Sequence, residues 1–223
     1  MSHVTIFDCE YLTAEGAMNS RWCGPHDPDP CVAQIGSVKL SLEPGFKVLD
    51  TQSLLIKTVD RLGKGTDLDP YFVELTGIDN SQIENEGISL EEALAEFDRF
   101  SGGSSFWSWG KDELNLLAVS CYVAEIKPVI PAHRFGNAME LLLRAGLPRE
   151  DVLKTTSGEL ADTFGLKGSP RRHHDAVDDA MSIALSLQHL LLTGRLAPED
   201  FFRAAPLPIH LNGTPAQQSP AEL

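Results

Sequence analysis

The sequence predicts an α/β protein in which a mixed β-sheet is flanked by α-helices. Three observations carry that expectation. The first quarter alternates short apolar runs with turn signals, the remainder is dominated by segments of helical period, and a short aromatic run, Ser104 to Ser108, interrupts the helices. Strands that open as a meander and then alternate with helices fit a sheet with helical layers against it.

The individual elements follow from local signals. Val4 to Cys9 is an apolar strand, and Ala33 to Leu42 and Lys47 to Lys57 are two more, joined at Glu43-Pro44-Gly45-Phe46. The loop from Glu15 to Pro30 carries three prolines and two glycines. Ser89 with Glu92 three residues on is a capping-box spacing ahead of Ala93, Leu94 and Phe97, so a helix begins there. Lys111 to Glu125 and Gly136 to Ala145 read as helices, the second stopped by Gly146 and Pro148. Asp175 to Leu192 is the longest periodic segment. From Ala204 on, four prolines and little apolar periodicity predict a loose tail, giving a domain over 1–203 and a tail over 204–223.

At 223 residues, with 42% hydrophobic and 22% charged, a single core suffices, since roughly 70% of the unfolded surface is buried at this size. Lys and Arg number 18 against 32 Asp and Glu, a formal charge of −14. That excludes binding long duplexes by charge alone, which needs many cationic phosphate contacts. A nucleic-acid enzyme that holds a short single strand through metal ions is not excluded. There is no charged-then-apolar leader and no apolar run long enough for a bilayer, so no membrane contact is expected. The cysteines Cys9, Cys23, Cys31 and Cys121 form no paired framework and suit a reducing cytoplasm.

Some carboxylates sit where a core pattern does not want them. Side chains alternate along a strand, so Val4, Ile6, Asp8 and Glu10 share one face, and two acids extend an apolar stripe. Either the strand ends at Phe7 and both acids are solvated, or something cationic joins them, because two like charges in a low-dielectric place are costly. In His173-His174-Asp175-Ala176-Val177-Asp178-Asp179-Ala180, helical spacing puts Asp179 with Ala176, Ala180, Ile183 and Leu187 on the core stripe. It puts Asp175, Asp178, Ser182, Ser186 and His189 on a solvated face. A further acid follows the aromatic strand in Trp109-Gly110-Lys111-Asp112-Glu113, where a first-turn helix acid is the ordinary reading.

Taken in order, Asp8 and Glu10 in FDCEYLT, Asp112 in SWGKDEL, and His174 and Asp179 in HHDAVDDA resemble the motifs of the DEDDh family of 3′→5′ exonucleases. QIGSVKL looks like the family's second strand, and LTGI at 75–78 and SGELADTFGL at 157–166 sit where the family has such segments. The likeness spans about residues 4 to 192 and implies a ribonuclease H-like fold. Three departures accompany it. The spacing from Trp109 to Asp112 is one residue shorter than in many relatives, with Glu113 as second choice. His173 with Asp178 offers an alternative register. The loop over 15–30 is longer and richer in proline.

The resemblance implies hydrolysis of single-stranded RNA or DNA from its 3′ end to 5′-mononucleotides. Asp8, Glu10, Asp112 and Asp179 would bind two Mg²⁺ or Mn²⁺ ions, all-oxygen donors suiting those metals rather than zinc. His174 would be the general base, its ordinary pKa of ~6.5 lying near operating pH. Tyr11, Leu12, Thr13 and Trp109 are the expected substrate contacts, and Phe106, Trp107, Arg171 and Arg172 weaker ones. Partners would be single-stranded 3′ ends, with a homodimer admitted because relatives include dimers. The alternatives are an inactive module of this fold that binds RNA or a protein, and an endonuclease of the wider ribonuclease H-like class. Cys23-x2-His26-x4-Cys31, with Asp27 or Asp29, has zinc-ligating residue types but matches no standard zinc module, so it is expected to be an ordinary surface loop.

Overall fold

The computed structural model describes residues 2–166 and 174–202. Arg171, Arg172, His173 and the tail expected from residue 204 lie outside the described residues. The chain runs β1 (His3–Tyr11), α1 (Ala17–Ser20), β2 (Val32–Ser41), β3 (Val48–Leu55), α2 (Pro70–Thr76), α3 (Asn80–Glu86), α4 (Leu90–Ser101), β4 (Phe106–Ser108), α5 (Asp112–Val123), β5 (Phe135–Asn137), α6 (Ala138–Arg144), α7 (Arg149–Lys154), α8 (Leu160–Thr163) and α9 (Ala176–Leu192). The strands form one mixed sheet in the order β3-β2-β1-β4-β5. β1–β2 and β2–β3 pair antiparallel, while β1–β4 and β4–β5 pair parallel.

The central strand, β1, is buried on both faces, and its alternation sorts the core into layers. Val4 and Ile6 pack on one face with Ile183, Leu187 and Leu190 of α9 and Leu141 and Leu142 of α6. Phe7 and Cys9 pack on the other with Leu94 and Phe97 of α4 and Leu116 and Leu117 of α5. Around Phe7, the rings of Phe97, Phe106 and Phe135 lie at centroid distances of 5.2, 6.0 and 5.7 Å, an aromatic cluster that fixes β4 and β5 against α4. Ser89 and Glu92 form the expected reciprocal cap of α4.

The sequence signals that missed are instructive. Phe135–Asn137 is a strand and not the start of a helix; α6 begins at Ala138 because the Asn137 side chain accepts from Met139 N and caps it. The helices α2, α3, α7 and α8 are too short to show a helical period, though Asp69 and Asp79 cap the first two through their side chains. Ser182 and Ser186 of α9, expected on a solvated face, are fully buried. Ser182 Oγ donates to the Gly158 carbonyl and accepts from Ala161 N, both at 3.0 Å, so a second layer built on α8 covers that side of the helix.

One close approach seats α9 on the sheet. A Cβ added at Gly36, in the middle of β2, would lie 2.1 Å from the Ala176 carbonyl carbon and 2.2 Å from Val177 N. Those obstacles are backbone and cannot rotate aside. Replacing Gly36 by Ala is therefore expected to cost about 3 kcal/mol or more, the upper end for overpacking. G65A, where nothing lies within 4 Å, is expected to stay within about 0.5 kcal/mol of the parent chain. Urea unfolding of the two variants checks the contrast.

Candidate active site and metal centre

Asp8 and Glu10 continue the face of β1 that carries Val4 and Ile6, the face against which α9 packs. α9 starts over the same end of the strand. Its cap is Asp175, whose side chain accepts from Val177 N at 3.0 Å and Asp178 N at 3.2 Å. The first turn then carries Asp179 down to the sheet, only 8% exposed, while Asp178 is half-buried. Carboxylate oxygens of Asp8, Glu10 and Asp179 all lie within 4.8 Å of one another. Ser157 Oγ reaches Asp179 Oδ2 at 3.4 Å.

The fourth acid at this place is Glu113. Asp112, the expected one, is exposed at the first residue of α5, on the side that continues through Asn115 and Tyr122. Glu113 is 9% exposed, lines the same cavity as the three acids, and lies one turn before the buried Leu116 and Leu117. The turn that aims it is held by Asn137, whose Oδ1 accepts from Gly110 N at 3.1 Å. Gly110 has φ +85°, a left-handed conformation that suits glycine.

These acids line a cavity of about 720 Å³, and among the described residues no lysine or arginine does. Burial pushes the Asp8 carboxyl far above the usual range, and the neighbouring Glu113, Asp179 and Glu10 push it further. Burial, then Asp179 and Asp175, raise Glu10 from 4.5 to about 8. Burial raises Glu113 to about 7, against hydrogen bonds from its own backbone and Ser108. Its Oε2 is buried and meets no protein donor. Four buried acids in a lining that has no lysine or arginine among the described residues, with one orphaned oxygen, fit one or more hard divalent ions, which take oxygen ligands.

His174 lines the cavity as well, just ahead of the α9 cap, with φ +61°. A non-glycine residue held there costs about 1 kcal/mol or more, strain that structures keep mostly at functional positions. Tyr11, Thr13 and Trp109 line the cavity, whereas Leu12 turns away into an apolar cluster with Cys31, Ala33, Leu68 and Phe72. Phe106 and Trp107 are core residues. Sequence reading did not single out Trp22 or Tyr71, which also face the cavity; Trp22 stands edge-on to Tyr11 with centroids 5.3 Å apart. In the Pro-rich loop, Asp27 accepts from Gly24 N at 2.7 Å and Asp29 pairs with Arg61. Cys23 is exposed and Cys31 buried, and among the described residues the only group placed to hold a metal is Asp8, Glu10 and Asp179.

Glu10 keeps in the folded state a proton that the unfolded chain gives up near 4.5. Stability from that neutral acid is complete below pH 4.5 and is lost as the pH rises toward 8. In EDTA the melting temperature is therefore expected to fall by at least about 4 °C from pH 5 to pH 8. Mn²⁺ or Mg²⁺ at pH 8 should restore it, and E10Q should blunt both effects, as differential scanning calorimetry can read.

No protein-family model matches the chain, and no curated protein does at a significant level. Among solved structures, it is similar to a full-length 3′-exonuclease, with a TM-score of 0.68, 18% identity, and coverage of 86% of this chain and 61% of that one. A 3′-exonuclease described in the 3′-end-specific recognition of a histone mRNA stem-loop gives 0.68 and 18%, covering 86% and 83%. The zinc-bound complex of E. coli exonuclease I with single-stranded DNA gives 0.60 and 16%, covering 90% and 42%. The chain thus spans less than two thirds of the first and third of these proteins. What the likeness carries is the architecture: this five-stranded mixed sheet flanked by helices is the ribonuclease H-like fold found in 3′-exonucleases.

Proposed function

We propose that the chain is a metal-dependent 3′→5′ exonuclease that hydrolyses single-stranded RNA or DNA and releases 5′-mononucleotides. The observation that carries the reading is the gathering of Asp8, Glu10 and Asp179 within 4.8 Å, in one cavity with Glu113 and His174. The likeness to a 3′-exonuclease that recognises an mRNA stem-loop and to exonuclease I in complex with single-stranded DNA supports it.

In this reading Asp8, Glu10, Asp179 and Glu113 hold two Mg²⁺ or Mn²⁺ ions, with Glu113 in the place expected for Asp112. Bound there, the ions would supply Lewis-acid stabilisation of the phosphodiester oxygens and lower the pKa of water. His174 takes the proton of the attacking water on an imidazole nitrogen, from its place in the cavity lining just ahead of α9. Tyr11, Trp22 and Trp109 line the cavity with aromatic surface on which unpaired bases can stack, a contact worth about 1–3 kcal/mol per base. The described lining offers a polyanion no lysine or arginine, so productive binding is tied to cation occupancy. The loop after β1 and residues 155–159 both line the cavity, where in this reading the strand end is held.

A degradation ladder on 5′-labelled single-stranded oligonucleotides tests this. The expected result is stepwise 3′ shortening with Mn²⁺, none in EDTA, and no cleavage of a circular strand. H174A should lower kcat by about 10²–10⁴-fold. E113Q should lower it by about 100-fold or more while D112N changes it less than about threefold. Cleavage of the circle, or a larger loss in D112N than in E113Q, overturns the reading.

A further inference from the structure

We propose that Gln34 is a positioning residue for the acidic site: its side-chain carbonyl captures the first N–H of α9 and so sets Asp179 against Glu10. The inference rests on the metal-site reading above and concerns a residue that touches neither ion nor substrate in that reading.

The first four N–H groups of a helix have no partner within it. Three of these lie in α9 itself: Val177 N and Asp178 N go to the Asp175 side chain, while Asp179 N already makes the helix's own bond, to the Asp175 carbonyl at 3.0 Å. The remaining one, Ala176 N, donates to Gln34 Oε1 at 3.2 Å, across 142 residues of sequence. Gln34 stands directly opposite Glu10 in the β1–β2 register, and opposed residues of an antiparallel pair share a face. It is 5% exposed, and its Nε2 donates to Ser53 Oγ on β3 at 3.2 Å, which fixes the amide with its oxygen toward the helix. One side chain thus ties β2 and β3 to the start of the helix that carries Asp179.

Gly36 and Gln34 divide the task. Gly36 lets the helix backbone come close, but contact alone leaves sliding along the strand open. The Gln34 bond is directional and stops that slide. Its loss leaves Ala176 N buried without an acceptor and frees the first turn to shift, and with it Asp179 and His174. A shift of about 1 Å is enough to spoil a site that depends on joint geometry.

The test compares the parent chain with Q34M, which keeps length but removes the acceptor, and Q34E, which keeps an acceptor of the same reach. Mn²⁺ binding by isothermal titration calorimetry is read beside kinetics on a single-stranded oligonucleotide, and amide hydrogen exchange in EDTA reports Ala176. Q34M is expected to weaken Mn²⁺ binding by about tenfold or more, and kcat in step. KM should stay within about threefold, and Ala176 exchange should accelerate. Q34E is expected to hold Mn²⁺ within about threefold of the parent, and it carries the test alone if Q34M does not fold. Parent-like Mn²⁺ affinity in Q34M, or equal loss in Q34M and Q34E, overturns the positioning role. A parent chain that binds no Mn²⁺ overturns the site reading beneath it.

Discussion

The contact on which the rest depends is the seating of the α9 backbone on Gly36. A side chain of any size at that point would hold the helix away from β2, and the acids of β1 would then face an empty space instead of Asp179. A helix this close to a sheet is normally a matter of apolar packing, and α9 has that in Ala180, Ile183, Ala184 and Leu187. Here the same docking also drives like charges together. Apolar burial along four turns outweighs the repulsion at one end, and the penalty stays stored in carboxyls that retain their protons in the absence of cations.

That penalty is the physical link between fold and chemistry. Asp8 and Glu10 lie in the centre of the sheet because they continue a strand whose residues from Val4 to Phe7 are wholly buried, so no rearrangement of a surface loop can solvate them. Glu113 is fixed from another direction, by a helix whose start is tied to Asn137. Three separate stretches of chain, each rigid for its own packing reasons, deliver the four acids. Rigid support of this kind is what a site needs in order to hold hard cations in one arrangement.

Much of this was legible in the sequence. Period-two alternation placed Asp8 and Glu10 beside Val4 and Ile6, and helical period placed Asp179 on the core stripe; the structure has both faces. The same helical argument, applied to Lys111 to Glu125, distinguishes Glu113 from Asp112, since Glu113 aligns with Leu116, Leu117 and Ser120 while Asp112 aligns with Asn115 and Tyr122. The family-like order of acids favoured Asp112 over that local signal. Ser182 and Ser186 misled because two hydroxyls on one face resemble a solvated surface; the neighbouring α8 layer satisfies Ser182, and the Ser182 carbonyl of the same helix satisfies Ser186. Phe135–Asn137 and the one- to two-turn helices carry too few residues for any period. The roles of Gln34 and Gly36 are set by partners more than a hundred residues away, which no local pattern encodes.

A crystal structure of the chain grown with Mn²⁺ and a 5′-mononucleotide, with anomalous data at the manganese edge, tests the central claim most directly. Anomalous peaks bonded to Asp8, Glu10 and Asp179, with Glu113 turned toward them and Asp112 in solvent, are the result this account predicts. Manganese absent from that cavity while it binds elsewhere, or an acidic cluster that opens to let water in instead of a metal, would contradict it.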